Sequence, residues 1–251
     1  MPQKVEAMPV LVMWFLLTAS ALVVSLQLVP AAAVTVGDSN TAAPLPDCPS
    51  NCGDVEIPYP FGIGENCSWQ GMIDFTITCN HNFDTPRPYT GNIEVINISV
   101  ETGEMRIFTF VSYSCYSSID TIESYQNHSL SLLPTFLISP TKNVFTAIGC
   151  DTLAFLDCGD DSFIGCTTNC LSFNDSALDG DPCAGLGCCQ NSIPGNLSKI
   201  EVTWNTGEDH ANNSAWEYSP CNYAFVAEKN WYVPRSGILL QSQDKVHLFF
   251  F

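Results

Sequence analysis

Thirteen cysteines, all lying between Cys48 and Cys221, constrain this chain more than any other feature, and their meaning depends on the compartment in which it folds. From Ala7 to Gly37 the sequence carries no charge. Lys4 precedes an apolar run that opens at Leu11 and continues through Val24, and Ala31, Ala32 and Ala33 follow it. A basic start, an apolar stretch and a small-residue A-x-A site are the marks of a secretory signal peptide, here residues 1-33, cleaved after Ala33. An uncleaved anchor is the competing reading, because the run is long enough to span a bilayer. Either way the remainder is exported into an oxidising compartment.

There the cysteines are expected to pair. The candidates are Cys48, Cys52, Cys67, Cys79, Cys115, Cys150, Cys158, Cys166, Cys170, Cys183, Cys188, Cys189 and Cys221. Cys166, Cys170, Cys183 and Cys188 would suggest zinc in a cytosolic protein; after export, disulfides are expected and no metal site or cofactor is. The odd number leaves at least one cysteine outside an intrachain bridge, and the sequence leaves its identity and the connectivity open. Adjacent Cys188 and Cys189 are expected to take different partners, since joining neighbours strains the peptide between them. Six N-x-S sequons at Asn66, Asn97, Asn127, Asn174, Asn196 and Asn212 fit the same compartment and predict surface asparagines.

Charge removes whole function classes. Eight Lys and Arg stand against twenty-six Asp and Glu, a net charge of −18. Scattered basic residues cannot neutralise a phosphate backbone, so no nucleic-acid partner is expected. His81, His128, His210 and His247 are isolated, and neither G-x-S-x-G nor H-E-x-x-H occurs. Nothing singles out a catalytic pair of carboxylates. No enzyme activity is expected.

The patterning predicts a mainly β fold: small disulfide-rich extracellular modules with β-hairpins and long stapled loops. Ile96, Ile98 and Val100 share one strand face, Glu101 to Glu104 supplies a turn, and alternation resumes through Ile107, Thr109 and Val111. Ile73 to Cys79, Val144 to Cys150, Ile200 to Trp204 and Tyr223 to Ala227 are further strand candidates. Between Cys150 and Cys189, dense cysteines among Gly, Asp, Asn and Pro predict stapled loops. The expected organisation is a flexible leader over 34-47, a first module over 48-118, a connection over 119-133, a second module over 134-235 and a divergent tail over 236-251.

The run Cys52-Gly53-Asp54-Val55-Glu56-Ile57-Pro58-Tyr59-Pro60-Phe61-Gly62-Ile63-Gly64, followed by Cys67, resembles the galacturonan-binding module of plant wall-associated receptor kinases. Phe75 to Asn80 and the Ile93 to Cys115 hairpin fall where that module continues. Ile148-Gly149-Cys150-Asp151, Cys183-x-Gly185-x-Gly187-Cys188-Cys189-Gln190 and Cys221-Asn222-Tyr223-Ala224-Phe225-Val226 resemble the cysteine-rich C-terminal module of the same ectodomains. Full-length relatives continue into a membrane span and a kinase, and the last residues, Ser236 to Phe251, look like a truncated or alternatively read end.

The resemblance implies binding of cell-wall pectin or oligogalacturonides, linear polymers of carboxylated sugars, outside the plasma membrane. A chain of net charge −18 repels such a polymer, so a local cationic site or a calcium bridge is required. Arg87, flanked by Pro86 and Pro88 in an expected loop, suits bidentate contact with a carboxylate, and Arg106 is the second candidate. Tyr59, Phe61 and Trp69 are the aromatic candidates for stacking on sugar rings, with core packing as their ordinary alternative. The competing function is a secreted co-receptor, decoy or defence protein that contacts another protein, including a membrane receptor.

Overall fold

β-Branched and aromatic residues in runs of two to eight, separated by turn formers, give a molecule made of strands. The computed structural model describes residues 47–64, 66–71, 73–159, 162–170, 181–204, 214–233 and 245–250. The signal segment 1-33, nearly all of the leader 34-47, Asn174 and Asn212 lie outside the described residues. All described residues fall within one unit, Thr41–Phe251.

In chain order the strands are β1 Asn51–Cys52, β2 Val55–Glu56, β3 Gly62–Ile63, β4 Thr76–Asn80, β5 Arg87–Thr90, β6 Ile93–Ser99, β7 Glu104–Phe110, β8 Ser112–Ser118 and β9 Thr121–Gln126. They continue as β10 Ser129–Ser131, β11 Asn143–Ile148, β12 Leu153–Asp157, β13 Phe163–Thr167, β14 Cys188–Ser192, β15 Lys199–Trp204, β16 Cys221–Glu228 and β17 Lys245–Phe250. A six-stranded sheet runs β17-β7-β6-β5-β4-β3, a five-stranded sheet β14-β11-β16-β8-β9 and a four-stranded sheet β10-β15-β12-β13, with β1 and β2 forming a separate ribbon. Pairing is antiparallel except between β3 and β4. One buried cluster joins Ile77, Val95 and Ile107 of the first sheet to Phe145 and Val226 of the second and Leu156 and Ile200 of the third.

Several expectations meet the structure residue by residue. The β6–β7 hairpin forms, with Met105, Ile107 and Thr109 alternately buried. On β6 the simple alternation fails: a register shift between Val95 and Asn97 inserts an extra residue, so Val95 and Ile98 are buried while Val100 is exposed. Ile73 to Phe75 forms a 3-10 turn rather than the start of a strand. The cysteine-dense region holds strands β12, β13 and β14, a correction to the expected loops: the bridges staple sheet there rather than replace it. β9 and β10 lie within 119-133, and β8 pairs with β16. Within 236-251, β17 pairs along β7, and Phe250 is fully buried with its ring 5.0 Å from that of Phe136.

Six disulfides form: Cys48–Cys67, Cys52–Cys79, Cys115–Cys221, Cys150–Cys170, Cys166–Cys189 and Cys183–Cys188. Cys188 and Cys189 take different partners, and the four cysteines with zinc-like spacing are all bridged. Cys158 is the cysteine left over, half-buried at the end of β12. Burial, with the neighbouring Asp157 carboxylate, pushes its thiol pKa up, which keeps it protonated and a poor nucleophile. Iodoacetamide at neutral pH is therefore expected to modify native protein slowly, and to add one carbamidomethyl group per chain once the non-reduced protein is unfolded. A mass shift of zero or three groups would contradict this pairing.

Candidate functional site

The long turn between β2 and β4 is held from both sides. Phe61 N–H donates to Pro58 O at 2.9 Å, Trp69 N–H donates to Pro60 O at 2.9 Å, and the Tyr59–Pro60 peptide is cis. Gly62 has no room for a side chain: a Cβ there would meet the Cys67 carbonyl at 2.1 Å. This close approach, together with the Cys48–Cys67 bridge, fixes the segment that carries Trp69 against the start of β4.

Phe75 separates two aromatic environments. Phe61 packs on its inner side, with ring centroids 5.1 Å apart, and stacks at 6.1 Å on Phe136. Trp69 meets it edge-on at 5.7 Å and remains 43% exposed. Phe61 is thus a core residue. Trp69 forms a wall of an open groove of about 650 Å³, whose other lining includes Ser68, Gln70, Thr76 and Thr78. The described residues lining this groove include no Asp or Glu, on a strongly acidic chain. Gly71 allows the Trp69 ring to lie where it does, since a Cβ at that position would come within 2.5 Å of it. Tyr59 is half-buried in the turn and does not line the groove.

The strand register extends the polar strip. On β4, Thr76, Thr78 and Asn80 share a face, and Tyr89 and Arg87 of β5 stand opposite Thr78 and Asn80. Arg87 begins a strand instead of sitting in a loop, a correction to the sequence expectation; Pro88 is accommodated beside it opposite Cys79. Its guanidinium donates to Glu94 Oε1 at 3.2 Å and lies 4.2 Å from the centroid of the Phe83 ring. Glu94 is buried and Arg87 is nearly half exposed, so the outer edge of the guanidinium is available to an anion. The alternating Thr76, Thr78 and Asn80 beside a Trp is the sequence signal for this strip, and Tyr89 and Phe83 became visible only with the pairing of β4 and β5.

Arg106 lies elsewhere. Its side chain pairs with Glu228 of β16, linking the first sheet to the second, and both are about 30% exposed. Arg106→Ala is expected to lower stability by about 0.2–1 kcal/mol, read by chemical denaturation, without altering the salt dependence of ligand binding. A changed salt slope would return Arg106 to the ligand site.

The family model described as wall-associated receptor kinase galacturonan-binding matches residues 48–109, the span that contains the whole groove and Arg87. The chain is 33% identical over 187 residues to wall-associated receptor kinase 2 of Arabidopsis thaliana, 32% over 194 residues to wall-associated receptor kinase 1 and 35% over 194 residues to wall-associated receptor kinase 5. This chain is a relative of the wall-associated receptor kinases. Each of those matches takes in 74% of the chain and 24% of the kinase, so the chain spans about a quarter of these relatives' length. No solved structure matches it.

Of the six sequon asparagines, Asn66, Asn97, Asn127 and Asn196 are exposed. Among the described residues no group of three or more His, Cys, Asp and Glu side chains is placed to hold a metal ion, and no helix is long and apolar enough to cross a membrane.

Proposed function

We propose that this protein acts outside the cell as a receptor-like, non-catalytic binder of galacturonan, with the Trp69 groove as its site. A groove whose described lining holds no carboxylate, beside an exposed Trp, carries this reading. A polymer with a carboxylate on every sugar is repelled by a net charge of −18, and screening confines that repulsion to charges within about 8 Å. A groove whose described lining joins Ile63, Ile73 and Trp69 to the polar groups of Gln70, Thr76 and Thr78, with no carboxylate among them, lowers the penalty locally and offers hydrogen bonds to the sugar hydroxyls. Trp69 supplies an apolar face for a pyranose ring, and Arg87 at the end of the strip faces a carboxylate. Export is supported by six disulfides and exposed sequon asparagines.

Oxidatively folded protein is expected to bind oligogalacturonides and not neutral glucans, in a titration run with and without calcium. Absence of binding in every arm defeats the reading; binding that needs calcium moves the charge compensation from Arg87 to the ion. Arg87→Ala is expected to weaken binding by about five-fold at low salt and to flatten its salt dependence, because the residue contributes a rim charge.

A second reading, contact with another protein through the second module, has its own observation. Leu153 and Phe163 are exposed on the same face of the four-stranded sheet, and β13 is its edge. Substituting both with Ser would abolish receptor contact and spare oligogalacturonide binding.

A further inference from the structure

Asn66 lines the Trp69 groove and is exposed. The sequon that it opens is unusual in its surroundings. Its middle residue, Cys67, is bridged to Cys48. The hydroxyl residue that completes it, Ser68, is buried, and Ser68 Oγ lies 3.1 Å from Thr76 Oγ1. Trp69 N–H is bonded to Pro60 O, and the Cys67 carbonyl packs where Gly62 has no side chain. Transfer of a glycan needs an accessible, pliable Asn-x-Ser segment with its hydroxyl free to engage the enzyme. Once this loop has closed Asn66 stays exposed, but the segment is pinned by the bridge and the Ser68 hydroxyl is buried.

We propose that N-glycosylation of Asn66 competes with closure of the Cys48–Cys67 bridge, and that the glycosylated form is blocked for galacturonan. The inference rests on the groove being the galacturonan site. In the transfer step Asn66 Nδ2 forms a bond to the anomeric carbon of a lipid diphosphate-linked oligosaccharide. The bond from that carbon to the diphosphate oxygen breaks, lipid diphosphate leaves and the amide gives up one proton. Bridge formation takes seconds to hours, so a chain emerging into the exporting compartment meets the transferase with Cys67 still reduced. Chains that receive the glycan then fold with a branched sugar rooted in the groove wall. Chains that close first keep Ser68 buried and escape modification. The cell thus makes two populations from one sequence, in a ratio set by how fast the compartment oxidises Cys67. Asn97, Asn127 and Asn196 line no part of this groove and carry no such coupling.

The test is made on the whole chain expressed in a glycosylating eukaryotic host and passed over immobilised polygalacturonate, with retained and unretained fractions mapped by glycopeptide mass spectrometry. Unglycosylated protein folded in an oxidising bacterial compartment is run beside it. The retained fraction is expected to be depleted of Asn66 glycan by on the order of ten-fold, while occupancy at Asn97, Asn127 and Asn196 is the same in both fractions. Cys48→Ser is expected to raise Asn66 occupancy, and Cys183→Ser, which opens a remote bridge, is not. Equal Asn66 occupancy in the two fractions, no occupancy in any preparation, or no rise with Cys48→Ser would overturn the proposal while leaving the galacturonan reading in place. Failure of the unglycosylated protein to be retained would instead overturn that reading, and the blocking proposal with it.

Discussion

Replacing Cys115 and Cys221 together with Ser is expected to lower the unfolding free energy by about 2–5 kcal/mol, the largest loss available from any one bridge. The two cysteines are directly opposed across β8 and β16, and their link closes a separation of 106 residues. Chain-entropy reasoning makes the bridge's effect grow with the logarithm of that separation. Cys183–Cys188 spans 5 residues, so its removal is expected to cost roughly 2.5–3 kcal/mol less. Denaturant titrations of the two double variants, each with its other bridges confirmed by mass, make the comparison. Equal losses would show that the bridges act through native-state packing and not through the unfolded chain. The effect also bears on function: β8 follows β7 after Val111, so loosening it frees one end of the sheet that presents the groove.

The same long bridge shows where sequence reasoning stops. Alternation in Met105 to Val111 is visible because one face must be buried, and a period of two follows from the pleat. Pairing between β8 and β16, a hundred residues apart, leaves no local trace, so cysteine spacing alone left the connectivity open. The β6 expectation failed for a related reason. Of the expected face Ile98 is buried, but a bulge replaces Ile96 by Val95 and leaves Val100 exposed, and no single strand encodes which residue will be the extra one. Residues 245–250 read as unpatterned because Leu248 to Phe250 form an apolar run, the pattern of a strand whose burial is decided by its neighbours. The candidate site divides in the same way. Trp69 was legible as an aromatic beside a Pro- and Gly-rich turn, and so was Phe61, yet only packing distinguishes the wall of a groove from the core behind it. Arg87, between two prolines, and Arg106, on an alternating strand, already differed in the sequence, with Arg106 the more structural of the two. Their partners separate them: Glu94 and Phe83 keep Arg87 on the polar strip, whereas Glu228 takes Arg106 to the second sheet.

Trp69→Ala is expected to weaken oligogalacturonide binding by about 30-fold, corresponding to roughly 2 kcal/mol, and to leave the fold intact. Nearly half of the residue is exposed, and its ring meets Phe75 at an edge. More than half of the residue is buried, so truncation also lowers the midpoint of denaturant unfolding, and affinities are compared where both proteins are folded. Phe61→Ala provides the contrast. It removes a ring packed between Phe75 and Phe136, and its cost of about 3–5 kcal/mol falls on stability first. Gly71→Ala tests geometry without deleting any contact atom. The added methyl must displace the Trp69 ring, which would carry the stacking face out of the channel. If that variant binds as tightly as wild type, stacking in the observed orientation is not what holds the sugar. If Trp69→Ala also binds normally, the polar strip formed by Thr76, Thr78 and Asn80 must hold the polymer by hydrogen bonds alone, and affinity would then fall on replacing the threonines with Val, which keeps the strand and removes the hydroxyls.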